Sequence, residues 1–222
     1  GSTSGKLLIN PIENKALDNV YVIGKDSALN IDEVVATGAV KLLSQEGINS
    51  TGADKLAKII GTDITVWGGN AGINNVSVGL LKKNGEIVGT VDVNANGDIA
   101  ISQLESLSSI VALNNLRNND QSFTYGGVTY SLNEDLVLGA VAGENIAISA
   151  IGNIISGIDG ISYLNVSEAL TITANKSVGT DDAALRVKNS GAVLNITAGE
   201  SINVSAEKEG NLVLGTIIAN SS

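Results

Sequence analysis

Between Ile161 and Ile218 the chain repeats one short pattern: a run of four or five residues, then a small polar loop. The runs are Tyr163-Leu-Asn-Val166, Ala169-Leu-Thr-Ile-Thr173, Ala184-Leu-Arg-Val187, Val193-Leu-Asn-Ile-Thr197, Ser201-Ile-Asn-Val-Ser205 and Asn211-Leu-Val-Leu214. In most of them apolar side chains stand two apart, with Asn, Ser, Thr or Arg between. That alternation marks a strand with one buried face. Strands this brief bury little alone, so the pattern demands that many of them stack.

The apolar residues suit stacking. They make up 43% of the 222 residues, but aromatics supply only 3%, so the core must be built from Ile, Val, Leu and Ala. Small branched side chains, 26 Gly and a single Pro fit thin repeated layers better than a bulky globular core. Leu164-Asn-Val166 matches Leu194-Asn-Ile196, and Leu170-Thr-Ile-Thr173 matches Ile202-Asn-Val-Ser205, which gives a loose period of roughly 29 residues with three strands in each. A triangular coil has this signature. The reading is all-β, a parallel β-helix, with a β-sandwich as the alternative. The lack of hairpin signals over 160–222 favours the coil.

Three regions follow. Residues 6–61 read as β-rich coils, except that Ala53-Asp-Lys-Leu-Ala-Lys-Ile-Ile60 predicts two helical turns ended by Gly61. Residues 62–135 read as an inserted subdomain. Within it, Asn84-Gly85 and Asn96-Gly97 are either hairpin turns of a meander or corners of a coil. Gln103 to Leu116 carries apolar residues at helical spacing, and Phe123-Thr-Tyr125, Gly126-Gly127, Val128-Thr-Tyr130 reads as a hairpin. Residues 136–220 read as regular coils.

The stretches Leu194-Asn-Ile-Thr-Ala-Gly-Glu-Ser-Ile-Asn-Val-Ser-Ala206 and Asn145-Ile-Ala-Ile-Ser-Ala-Ile-Gly152 resemble the passenger regions of bacterial autotransporter and filamentous-haemagglutinin-type surface proteins. The resemblance implies a right-handed β-helix, secretion to the bacterial cell surface, and adhesion rather than catalysis. Its partners would be a surface receptor, a glycan or another copy of the chain. Absence of Met, with Gly1-Ser-Thr-Ser-Gly5 reading as a cloning remnant, suggests a piece of a longer polypeptide.

The net charge of −10 argues against nucleic acid, which requires clustered Lys and Arg, and no apolar run approaches the ~20 residues of a membrane helix. With no Cys and no His, thiol nucleophiles, imidazole bases and the usual zinc sites are excluded. No catalytic residue and no cofactor is assigned, with one candidate ion. Asp92-Val-Asn-Ala-Asn-Gly-Asp-Ile99 resembles the calcium loop of dockerin modules, with Asp92, Asn94, Asn96 and Asp98 as ligands, although Gln103 stands where a bidentate carboxylate belongs. The same residues scan as strand, turn, strand.

Trp67, Tyr125 and Tyr130 are candidates for stacking on sugar rings. Asp181-Asp182 with Glu168 or Asp159 forms a candidate carboxylate cluster, which with Arg186 would suit an extracellular polysaccharide-cleaving enzyme, the competing class. A calcium-dependent structural module is the third. The sequons beginning at Asn75, Asn165, Asn195 and Asn203 follow from alternation in a chain rich in Asn, Ser and Thr and receive no function.

Overall fold

The computed structural model describes residues 7–9, 18–52, 55–157, 163–189, 191–207 and 213–220. Within them the chain is all-β, built on a large parallel sheet, with short 3-10 turns and no α-helix. Most strands fall into three ladders, in each of which a strand pairs in parallel with its equivalent further along the chain; four short ones pair antiparallel.

The first ladder runs through Val20–Gly24, Ala39–Ser44, Asp63–Trp67 and Val91–Asn94. It continues in the early parts of the long strands Leu136–Ala150 and Tyr163–Ala174, then in Leu185–Asn189 and Val204–Ala206. The second takes the start of Leu29–Val35, Ile48–Ser50, the start of Ile73–Lys83 and Ile99–Gln103. It goes on through the later parts of the two long strands to Val193–Ala198 and Val213–Ala219. The third joins Leu7–Ile9 to the end of Leu29–Val35, then Ala57–Gly61 and the middle of Ile73–Lys83. Its later steps are the pairing of Leu136 with Ile154 and the bridges from Ile154 to Val178 and on to Ile202.

Alternation decides which side chains meet. Val40, Ile64 and Val91 are register partners in the first ladder; Ile48, Ile73 and Ile99 in the second; Val34, Ile59 and Val78 in the third. All nine are buried in one continuous core. Burying each such side chain stabilises the fold by about 1.5–3 kcal/mol.

The step between rungs is shorter than the roughly 29 residues expected. Asn153 bonds Ser177 and Ser177 bonds Ser201, each 24 residues on, and earlier register partners stand between 19 (Leu29 and Ile48) and 27 (Ile64 and Val91) residues apart. The expected period matched Leu164 to Leu194, but these belong to different ladders. Leu164 pairs with Val187, and Leu194 with Leu170. Over the described part of 160–218 the strands are parallel, so the antiparallel hairpins of a sandwich are absent there.

Two predicted helices are corrected. Ala57–Gly61 is a strand, and Ala53 and Asp54 lie outside the described residues. Ile59 and Ile60 imitate a helical face because this strand is buried on both sides. Ile59 joins the central core, while Ile60 joins a second core with Val35, Leu81, Leu107, Ile110, Phe123 and Tyr130. Period-2 alternation vanishes when both faces are covered. In 103–116, Gln103 ends a strand, and only the 3-10 turns Leu107–Ser109 and Val111–Leu113 follow. Leu104, Leu107, Ile110 and Leu113 line the second core without an α-helix.

The two Asn-Gly sites part company. Asn84-Gly85 closes an antiparallel pair, Lys82 and Lys83 against Ile87 and Glu86. Asn96-Gly97 is a corner: the strands either side of it pair in parallel with Leu136–Ala150 and not with each other. The Gly126-Gly127 hairpin forms as expected, setting Phe123 opposite Tyr130. This small antiparallel sheet joins the main body through Leu81–Lys83 against Tyr130–Leu132.

Candidate functional site

The described residues offer one place where aromatic, apolar and hydrogen-bonding side chains converge in the open. It lies on the outer face of the first ladder, where three strands present register partners to solvent. One row is Tyr21, Lys41 and Thr65; the next is Ile23, Leu43 and Trp67. Their neighbours Val22, Leu42 and Val66 point the opposite way, toward the core. The outward row breaks the polar-out rule, since Tyr21 is 61% and Ile23 66% exposed. The Lys41 ammonium lies 5.9 Å from the centre of the Tyr21 ring, within cation–π reach.

Ile23, Gly24, Lys25, Asp26, Leu43, Gln45 and Trp67 enclose an open cleft of about 400 Å³. The corners shape it. The backbone N–H of Asn70 donates to the Gln45 carbonyl at 3.1 Å, which draws the turn after Trp67 onto the rung before. Gly69 makes that turn with φ +51, and a Cβ there would meet Gln45 O at 2.1 Å. The turn is thus reserved for glycine and sets the half-buried indole beside Leu43. An apolar wall flanked by an ammonium, a carboxylate and an amide can hold a ring with one apolar face and a polar rim.

The other sequence candidates have different surroundings. Tyr130 is only 5% exposed and stacks on Phe123, with ring centroids 5.1 Å apart. Tyr125 packs half-buried against the same second core. Neither shares a surface with Trp67.

Asp92 accepts the Ala140 N–H at 2.6 Å through Oδ1 and the Thr90 hydroxyl at 3.0 Å through Oδ2. Asn94 is the ladder partner of Trp67. Asn96 donates its amide N–H to Asn70 Oδ1 at 2.9 Å. Asp98 Oδ1 accepts from the Asn145 backbone N–H at 3.3 Å and from its amide at 2.9 Å. The side chains of Asp92, Asn96 and Asp98 therefore serve neighbouring rungs and corners, and Asn94 takes its place in the ladder. Among the described residues no group of three or more His, Cys, Asp or Glu is placed to hold a metal ion.

Asp181 and Asp182 sit on an exposed corner, Arg186 points outward from its strand, and Glu168 accepts from Asn145 at 3.0 Å. Asp159 lies outside the described residues.

Three residues that sequence reasoning gave no role govern the insert. Glu33 is a buried carboxylate whose oxygens accept the backbone N–H groups of Val111 and Ala112 at 3.1 and 3.2 Å. Lys58, its ladder partner, lies 3.7 Å from that carboxylate and donates to the Ser109 carbonyl at 2.5 Å. Gln103 donates to the carbonyls of Asn133 and Glu134 at 3.3 and 2.9 Å, and accepts from the N–H groups of Ile151 and Gly152 at 3.1 Å each. It thereby ties the departure and return of the insert to the next rung. Its failure to fit position 12 of a calcium loop was the one sequence sign of a different task.

No family model matches this chain, and neither the curated proteins nor the solved structures contain a match to it.

Proposed function

We propose that the chain is a right-handed parallel β-helix from a secreted bacterial cell-surface adhesin, and that it attaches by seating a sugar ring in the Trp67 cleft. The handedness follows the strong rule for crossovers between parallel strands. Three ladders advancing by about two dozen residues, each feeding one apolar core, support the coil. The single observation that carries the attachment role is the outward-facing row of exposed Ile23 and half-buried Leu43 and Trp67 beside Tyr21 and Lys41. Such a row costs solubility unless something docks on it. An indole wall offers the apolar face of a pyranose a surface, while Lys25, Asp26 and Gln45 line the same cleft and supply donors and acceptors for hydroxyls.

The test is a panel of immobilised glycans, followed by titration of intrinsic fluorescence with any glycan retained. Trp67 is the sole Trp, so the signal is unambiguous. Binding should be lost in Trp67→Ala and weakened in Tyr21→Ala and Gln45→Ala, with the melting temperature nearly unchanged in the latter two. A wild-type chain that retains no glycan, or a Trp67→Ala chain that binds as well as wild type, removes this reading.

A further inference from the structure

Six residues of the chain are aromatic. Phe123, Tyr125 and Tyr130 pack in or against the second core. The other three, Tyr21, Trp67 and Tyr163, stand on the outer face of the first ladder. Tyr163 is 36% exposed, while Leu164 beside it is buried in the core. One outward column runs from Tyr21 and Lys41 past Asp92 to Ala140, Tyr163 and Arg186, and Trp67 belongs to the column beside it. From Tyr21 to Tyr163 the column takes five steps, about 24 Å at the ~4.8 Å separation of paired strands. Each of these tyrosines has a cation as a register partner, Lys41 for Tyr21 and Arg186 for Tyr163.

We propose that this face is a track for a linear acidic glycan, which lies along the coil with its rings on Tyr21, Trp67 and Tyr163 and its carboxylates on Lys41, Arg186 and Lys188. Such a track rests on the sugar reading of the Trp67 cleft and lengthens it from one ring to a chain. Spacing selects a linear ligand. A pyranose in an extended chain advances by about the length of one rung, so successive rings can follow successive rungs, and their apolar faces meet the aromatic ones. Charge selects an acidic ligand. The chain carries a net −10. Yet the two columns hold the cations Lys41, Arg186 and Lys188, the last a register partner of Asn165, against Asp92 alone. Both Asp92 oxygens already accept, from the Ala140 N–H and the Thr90 hydroxyl. Lys25 and Asp26 of the cleft add one charge of each sign. At physiological salt the acids elsewhere on the chain are screened beyond about 8 Å, so the contacts along the track decide the preference.

The test titrates Trp67 fluorescence with β-1,4-linked mannuronate oligomers from dimer to octamer, beside β-1,4-linked mannose oligomers of the same lengths, which differ only in lacking the carboxylate. Affinity for the acidic series should rise at least tenfold from dimer to hexamer and then level off, and it should fall with added salt. The neutral hexamer should bind at least tenfold more weakly than the acidic one. Tyr163→Ala and Arg186→Gln, both at exposed positions outside the cleft, should each bring the acidic hexamer down to the affinity of the trimer, with the melting temperature nearly unchanged. If dimer and hexamer bind alike, or both variants hold the hexamer as wild type does, the track is overturned while the single-ring cleft stands. Equal affinity for neutral and acidic hexamers overturns the acidic assignment. Binding of neither series overturns the track, and the glycan panel then decides the cleft separately.

Discussion

Val34 and Val35 are adjacent in sequence, yet each is buried in a different core. Val34 faces the central stack, and Val35 faces the shell formed by the insert. Their ladder partners divide the same way, with Ile59 inward and Ile60 outward. This strand pair is the seam between the coil and its insert. It gives two neighbouring truncations separate consequences.

Ile59→Ala and Ile60→Ala should each cost about 2–5 kcal/mol, the range for emptying a fully buried aliphatic site. The location of the damage should differ. Ile59→Ala lowers protection of amides throughout the ladders, whereas Ile60→Ala chiefly raises exchange in 104–132. Hydrogen exchange with mass detection separates them. Identical exchange maps would show that the two cores are energetically one.

Glu33 holds the insert by its charge and its two oxygens. Glu33→Ala leaves the N–H groups of Val111 and Ala112 without their acceptor; Val111 is 70% exposed and water can take the place of the carboxylate there, so the loss is about 0.5–1.5 kcal/mol for each bond. Glu33→Gln keeps one acceptor oxygen and should lose roughly half as much. Limited proteolysis should then cut near 107–116 before the ladders melt. A Glu33→Ala chain as resistant as wild type would contradict the latch.

Gln103 separates a brace from a calcium ligand. Gln103→Glu supplies the carboxylate that a calcium loop wants at position 12, and on the loop reading calcium would bind more tightly. The hydrogen bonds give the opposite expectation. A carboxylate has no proton to offer the carbonyls of Asn133 and Glu134, so the variant should melt earlier and calcium should not restore it. Calorimetric titration and thermal melts with and without calcium read both.

Gly72 and Gly85 both have positive φ, +78° and +87°. A Cβ on Gly72 would meet the Asp98 carbonyl at 2.1 Å, while one on Gly85 meets nothing within 4 Å. Gly85→Ala should therefore cost about 1–2 kcal/mol, the left-handed penalty alone. Gly72→Ala should cost more, since two rungs must also move apart. Chemical denaturation of both variants tests the order.

Much of the fold was legible where one face of a strand is wet. Leu164, Val166, Leu170 and Ile172 alternate with exposed Asn165, Thr171 and Thr173, and the runs 163–166 and 169–173 were read as strands, although they join into the single strand Tyr163–Ala174. It failed where a strand is buried twice, as at Ile59 and Ile60, because period 2 then gives no signal. It failed again at Leu107, Ile110 and Leu113, where 3-10 turns over a flat apolar surface mimic helical spacing. The period went astray because the first two ladders share the pattern Leu-Asn-Val or Leu-Asn-Ile, and only pairing tells them apart. In the cleft, Trp67 was recognised from its chemistry. Tyr21 and Ile23 were not, since nothing local says that the outward face of their strand is apolar and lies beside Trp67.

The amide of Gln103 brings residues 30 and 31 positions apart to one point. Mechanically the insert is therefore a side branch with a closed neck. Tension applied to the two chain ends travels through the rungs and skirts that branch, so the rungs must tear at the neck before residues 104–132 bear any load. Under load the branch would stay intact until the shaft itself gave way.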